Sequence, residues 1–136
     1  MRFFFYGTLL MPETNPVARR LHARLEPGTP ALAYGRLFAL PDPEGWYPAF
    51  CPDEGGTPVH GQLFAALGTF AAADLAALDT YEDYRPGRPE ASEYVRQAIA
   101  VTAPDGVHRA QAYCYNRALP PRAEPIPEGD FAAWLA

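Results

Sequence analysis

The first apolar stretch of the chain, Phe3-Phe4-Phe5-Tyr6, carries no polar alternation. A continuous aromatic run of this kind predicts a strand buried on both faces, and therefore a central one. Gly7-Thr8 ends it. A strand tip of this composition offers backbone N–H groups to an anion, because glycine reaches conformations closed to other residues and lets a ligand approach the main chain closely. After the breaker Met11-Pro12, Asn15-Pro16 reads as a helix start, with Val17, Leu21 and Leu25 on one stripe ahead of Glu26-Pro27-Gly28. Residues 31–40 and 59–67 read as strands. Two loop signals between them bracket Trp46-Tyr47-Pro48-Ala49-Phe50, an aromatic loop that either walls a pocket or is pinned to the surface by Trp46.

The clearest helix covers residues 70–81, capped by Thr69 and alanine-rich, with Leu75 and Leu78 spaced as an inward stripe. Residues 93–102 and 107–115 are strands flanking the hairpin signal Pro104-Asp105-Gly106. Asp130 caps a short last helix with Phe131, Trp134 and Leu135 on its apolar face. Glu82 lies four residues after Leu78 and seven after Leu75, so the stripe points its carboxylate inward. Desolvation and the negative end of the helix would both raise its pKa, which suits a general base. If the helix stops a residue or two earlier, Glu82 is instead a surface acid paired with Arg85; spacing leaves both readings open.

Composition narrows the chemistry. At 136 residues the chain fits one domain, 1–136, with room for a core that needs no disulfide or metal. A net charge of −5, the lack of any Lys and eleven scattered Arg argue against nucleic-acid binding. Arg19, Arg20 and Arg24 read as a solvated helix face. Cys51 and Cys114 form no disulfide framework and no Cys-x-x-Cys motif, which predicts a reduced, cytoplasmic setting. The N-terminal apolar run is too short to span a bilayer and precedes no cleavage site, so a soluble, unprocessed protein without membrane contact is expected. Without Lys there is no Schiff base, and the one serine, Ser92, stands in no nucleophile elbow. Cys114 sits within a strand and reads as a buried thiol. His22, His60 and His108 lack metal-ligand spacing, and no phosphate loop or dinucleotide fingerprint is present. Neither metal nor cofactor is expected, and carboxylate acid/base chemistry remains. No feature fixes an oligomeric state.

Phe5-Tyr6-Gly7-Thr8-Leu9 resembles the signature of the gamma-glutamylcyclotransferase-like family. The likeness continues through Gly35-Arg36-Leu37-Phe38, Val59-His60-Gly61-Gln62-Leu63-Phe64, Leu78-Asp79-Thr80-Tyr81-Glu82, Glu93-Tyr94-Val95-Arg96, Ala112-Tyr113-Cys114-Tyr115 and the stretch from Ile126 to Phe131. It covers nearly the whole chain. The resemblance implies an α+β fold: a mixed, curved, barrel-like β-sheet with a few helices packed outside. It implies a cofactor-independent enzyme that releases 5-oxoproline and a free amine from a small gamma-glutamyl-amine or gamma-glutamyl-peptide, with Glu82 as general acid/base. Gly7, Thr8 and Leu9 would supply backbone N–H groups to the substrate, with Tyr6, Tyr94, Arg96 and Tyr115 as further substrate-binding candidates. Each tyrosine reads equally as a core aromatic with a satisfied hydroxyl. One departure stands out: Asp83 occupies a position where the family usually has Gly, which makes the backbone there less permissive and places a second acid beside Glu82. The alternatives are a small-anion-binding module without turnover, and a hydrolase or transferase using the same glutamate.

Overall fold

The computed structural model describes residues 1–10 and 15–136; the predicted Met11-Pro12 breaker lies outside the described residues. Strand β1 (Arg2–Phe5) leads into a 3-10 turn (Thr8–Leu10), followed by helix α1 (Pro16–His22) and strands β2 (Thr29–Asp42), β3 (Gly45–Pro52) and β4 (Thr57–Ala65). Helix α2 (Ala72–Tyr81), a 3-10 turn (Pro89–Ala91), strands β5 (Tyr94–Ala103), β6 (Gly106–Tyr115) and β7 (Glu124–Pro125), and helix α3 (Phe131–Leu135) complete the order.

The strands follow one another as β3-β2-β4-β1-β6-β5, and a β2–β5 pairing at Leu32 and Thr102 closes β2, β4, β1, β6 and β5 into a barrel. β1 runs parallel to β6, while the other pairings among the described residues are antiparallel. The aromatic run of β1 divides by alternation, as the two-residue period of a strand requires. Phe4 and Tyr6 join Ala33, Ala39, Val59, Val101, Ala110 and Ala112 in one core cluster, the barrel interior. Phe3 and Phe5 join Leu21, Phe64, Leu78 and Tyr113 in a second cluster, under α1 and α2. Phe3, Phe4 and Phe5 are each at most 2% exposed, so β1 is covered on both faces.

Three local expectations shift. Residues 46–50 are not a loop but most of β3, an eight-residue strand paired with the second half of the fourteen-residue β2. The first half of β2 pairs β4, so one long strand belongs to the barrel and also carries a hairpin beyond it. Helix α1 stops at His22, and Leu25 is buried beside an isolated bridge to Ala66 rather than on the helix. Its start is as expected: Asn15 Oδ1 accepts from Val17 N at 3.0 Å and Ala18 N at 3.2 Å. Helix α2 begins at Ala72, not Phe70. Thr69 does not cap it; Asp74, buried in the first turn, reaches back to accept from Ala71 N at 2.8 Å. At the last helix Asp130 accepts from Ala133 N as expected, Phe131 is buried, and Leu135 faces solvent.

Candidate active site

Beyond the C-terminal end of β1 a cavity of about 370 Å³ opens between β1, β3, the starts of β5 and the end of α2. Phe4, Phe5, Tyr6, Gly7 and Leu9 form one wall, Trp46, Tyr47 and Pro48 of β3 another, and Tyr81, Glu82, Glu93, Tyr94 and Tyr113 the remainder, with Asp42 and Glu44 at the β2–β3 turn. The aromatic segment 46–50 thus walls a pocket through its first three residues, as a strand rather than a loop.

Glu82 is the C-cap of α2, one residue beyond the last helical position. The end of this helix is well defined. Asp83 N donates to Thr80 O at 3.1 Å and Tyr84 N to Asp79 O at 2.8 Å, the paired bonds of a Schellman stop. Asp83 takes the left-handed conformation that such a stop needs, at φ +51°. The chain therefore keeps the turn that glycine makes easily and adopts it with an aspartate. Asp83 also turns away electrically: its carboxylate lies 3.4 Å from both Arg85 and Arg117. Arg85 pairs with Asp83, leaving Glu82 in the cavity wall.

Among the described residues Glu82 accepts no side-chain hydrogen bond. Burial, first, and the neighbouring carboxylate of Glu93, second, push its pKa from 4.5 up to about 8. Asp83, the second acid expected to act on it, is not among these causes. Glu93 is itself held, accepting from Tyr47 Oη at 2.9 Å. Burial also raises the Tyr6 and Tyr94 hydroxyls well above their ordinary range, and both hydroxyl hydrogens are committed to main-chain acceptors, Tyr6 to Tyr113 O and Tyr94 to Pro48 O. These tyrosines fasten the cavity walls to one another and present rings and oxygen lone pairs to its interior.

Gly7 is buried, and its conformation is not left-handed. Its need for glycine is steric rather than conformational: a Cβ there would meet Pro48 Cγ at 2.3 Å. The turn after it closes through Leu10 N to Gly7 O at 2.9 Å, and the first N–H groups of such a turn stand outside its own hydrogen-bond pattern.

Arg96 and Tyr115 do not line this cavity. Arg96 Nε bonds Asp79 Oδ1 at 3.0 Å and one terminal nitrogen bonds Gln111 Oε1 at 3.0 Å. Tyr113 Oη donates to the same Asp79 oxygen. Asp79 is 6% exposed, so this clamp ties the last turn of α2 to β5 and β6, and Tyr113 O in turn receives Tyr6 Oη. The last turn of α2, which leads into Glu82, is thereby joined to Tyr6 at the end of β1 through Asp79 and Tyr113. Tyr115 packs its ring edge-on to Tyr94 at 5.5 Å, behind the wall. Glu93, Asp42 and Glu44 were not foreseen as site residues, and Tyr47 was foreseen only as part of the aromatic segment that could wall a pocket. Glu93 had a signal, opening the phrase Glu93-Tyr94-Val95-Arg96, whereas Asp42 and Glu44 read only as loop punctuation. Cys114 is 1% exposed, and burial pushes its thiol up to about 12, which leaves it inert. No group of His, Cys, Asp and Glu able to hold a metal occurs among the described residues, and no described helix is long and apolar enough to cross a membrane.

Solved structures share this architecture. YkqA from Bacillus subtilis is 22% identical with a TM-score of 0.66; the match covers 97% of this chain and 39% of YkqA, so the chain spans well under half of that protein. An AIG2-like protein from Mus musculus is 21% identical over 88% of this chain and 83% of its own, with a TM-score of 0.60. A uropathogenic E. coli-specific protein is 19% identical over 98% of this chain and 94% of its own, with a TM-score of 0.67. No curated protein matches. The protein-family model described as "Gamma-glutamyl cyclotransferase, AIG2-like" matches residues 3–133, and with that span the chain belongs to the gamma-glutamyl cyclotransferase, AIG2-like family.

Proposed function

We propose that the protein is a gamma-glutamyl cyclotransferase acting on a small gamma-glutamyl-amine or gamma-glutamyl-peptide, with Glu82 as its general acid/base. The observation that carries this reading is a carboxyl that accepts no side-chain hydrogen bond among the described residues, placed in the same cavity as the Tyr6-Gly7 strand tip and pushed by burial towards its protonated form. Such a group is poised to exchange protons near neutral pH. In the free protein burial favours the protonated form of Glu82. A substrate ammonium in the cavity favours the ionised form by direct attraction, so binding prepares the base.

Glu82 then takes a proton from the alpha-ammonium, and the freed amine attacks the gamma-carbonyl carbon. The attacking nitrogen gives up its second proton as the five-membered lactam forms and the bond to the departing nitrogen breaks, and Glu82 relays both protons in turn to that nitrogen, which leaves as an ammonium. Atoms balance without water. Backbone N–H groups at Gly7, Thr8 and Leu9 would hold the substrate carboxylate or the developing oxyanion, while the Tyr6 and Tyr94 rings bend the glutamyl chain towards closure. Confinement contributes much of the rate, since effective molarities of well-oriented intramolecular reactions reach about 10⁵ M. Arg96 acts here at a distance, holding Asp79 and hence the helix end that carries Glu82, and Tyr115 supports Tyr94 from behind.

Incubation with gamma-glutamyl-amines, gamma-glutamyl dipeptides and glutathione, followed by mass detection of 5-oxoproline, tests the reading. Formation of 5-oxoproline supports it. Release of glutamate instead would identify a hydrolase, and binding without turnover a binding module.

A further inference from the structure

Two carboxylates stand where the end of α2 meets the start of β5, and one of them has no part in the reaction described above. Glu82 and Glu93 both line the cavity, and Glu93 is near enough to act on the Glu82 carboxyl through its charge. The main chain holds the two in one frame: Glu93 N donates to Asp83 O at 3.1 Å, and Asn116 N donates to Glu93 O at 2.8 Å. The side chain is fixed as well. Tyr47 Oη, from β3, donates to Glu93 Oε2 at 2.9 Å, while Oε1 accepts no hydrogen bond from the described residues. Glu93 forms no ion pair among those residues, and no Arg or His lines the cavity. A partly buried acid is thus held beside the base with one oxygen unclaimed and no cation of the protein to answer it, so its partner comes from what enters the cavity.

The chemistry of the glutamyl group supplies that partner. An alpha-ammonium carries three N–H donors, and Glu82 engages it one proton at a time. Glu82 is a poor recruiter of the cation, since burial favours its protonated form in the free protein and a neutral carboxyl exerts little pull on a charge. Asp42 and Glu44 stand exposed at the β2–β3 turn, where water and salt screen them. Glu93 is the acid that is both sheltered and fixed against the base.

We infer that Glu93, set in place by Tyr47, is a second substrate-contacting residue, whose Oε1 accepts from one N–H of the alpha-ammonium and holds the nitrogen against the gamma-carbonyl carbon while Glu82 exchanges the protons. This rests on the cyclotransferase reading and adds a residue to its site. Glu93 receives no proton, so the balance of the reaction is unchanged. The grip makes the alpha-amino group a requirement for binding as well as for attack.

The test uses two calorimetric probes, gamma-glutamyl-propylamide and glutaryl-propylamide, in which hydrogen replaces the alpha-ammonium. Both are titrated into the Glu82→Gln protein, which carries no charge at position 82 and turns over too slowly to interfere. The glutamyl compound should bind about tenfold tighter, or by about 1.4 kcal/mol, and this preference should fall to about onefold in Glu82→Gln/Glu93→Gln. Gln at position 93 still accepts from Tyr47 through its amide oxygen, so the fold is kept, and urea midpoints check it. Should that variant unfold early, Glu82→Gln/Tyr47→Phe, which removes only the hydroxyl that fixes Glu93, takes its place, with a preference reduced to about threefold. With Glu82 intact, Glu93→Gln should raise KM about tenfold and lower kcat by less, because a binding contact is lost rather than the base. Equal or undetectable binding of the two probes to Glu82→Gln, an undiminished preference in the double variant, or a loss confined to kcat in Glu93→Gln would overturn the inference. If the wild type forms no 5-oxoproline from gamma-glutamyl-amines, gamma-glutamyl dipeptides or glutathione, the cyclotransferase reading fails, and the calorimetric preference alone decides the ammonium contact.

Discussion

Replacing Glu82 by Gln separates the chemical role of the carboxyl from its energetic cost. Its pKa of about 8 in the folded protein lies above the ordinary 4.5, so folding favours the protonated form. Stability from this group is therefore fully present below pH about 4.5 and is lost as pH rises through about 8. At about 1.36 kcal/mol per pH unit the ceiling on that loss is about 5 kcal/mol. Access of solvent through the cavity screens part of it, leaving about 2–3 kcal/mol expected at pH 9. Gln is nearly isosteric and stays neutral, so the variant should exceed the wild type only slightly at pH 5 and by that amount at pH 9. Urea unfolding at pH 5, 7 and 9, with unchanged m-values, measures the difference. Turnover should fall by about 10²–10⁴ in the same protein, since the amide neither takes nor returns a proton. Parallel pH–stability curves for the two proteins would show that the carboxyl is not held protonated, and would remove the physical basis for its role as a base.

Other expectations follow from the same contacts. Asp79→Ala leaves Tyr113 without its acceptor and Arg96 with only Gln111, and should destabilise the protein by about 3 kcal/mol, seen as a lower urea midpoint, with kcat reduced more than KM changes because the end of α2 loses its anchor. Wild-type stability in this variant would mean that the clamp is dispensable. Asp83→Gly relieves a left-handed residue and loses only exposed ion pairs, so a gain of about 0.5–1 kcal/mol is expected; a clear loss would make the contacts to Arg85 and Arg117 more important than the backbone. Gly7→Val drives a Cβ into Pro48 and should abolish turnover, whereas Thr8→Ser should retain most of it; a Gly7→Val protein with a wild-type melt and normal turnover would reduce the Tyr6-Gly7 tip to a strand terminator. In the active protein kcat/KM should rise with pH through about 8, and the corresponding limb of kcat should lie lower, because the bound ammonium favours ionised Glu82. Coincident limbs would argue against an ammonium beside that carboxyl.

Signals that act within a few residues were legible in the chain alone. Asn15 and Asp130 cap their helices because a short acceptor side chain reaches N–H groups two or three residues on. The Pro104-Asp105-Gly106 signal makes a hairpin because Gly106 takes φ +129°. The run from Phe3 to Tyr6 is central because aromatic residues on both sides of a strand must be covered on both. The spacing of Leu75, Leu78 and Glu82 left an inward carboxylate and a surface acid paired with Arg85 both open, and only the helix stop at Asp83 decided for the cavity.

Tertiary structure decided what depends on partners distant in sequence. Residues 46–50 read as a loop because prolines and glycines bracket them, yet the ladder with β2 supplies enough main-chain bonds to make them a strand. Arg96 and Tyr94 lie two positions apart on one strand, but Asp79 and Gln111 claim the guanidinium while Tyr94 lines the cavity. Glycine at position 7 was legible as a requirement, but its cause, the approach of Pro48 from a strand about forty residues away, was not. Glu82, Glu93 and the pair Asp42 and Glu44 come from three separate segments, and no periodicity links them. A carboxyl's pKa and a pocket's charge depend on which groups share one poorly solvated space, and barrel closure determined that.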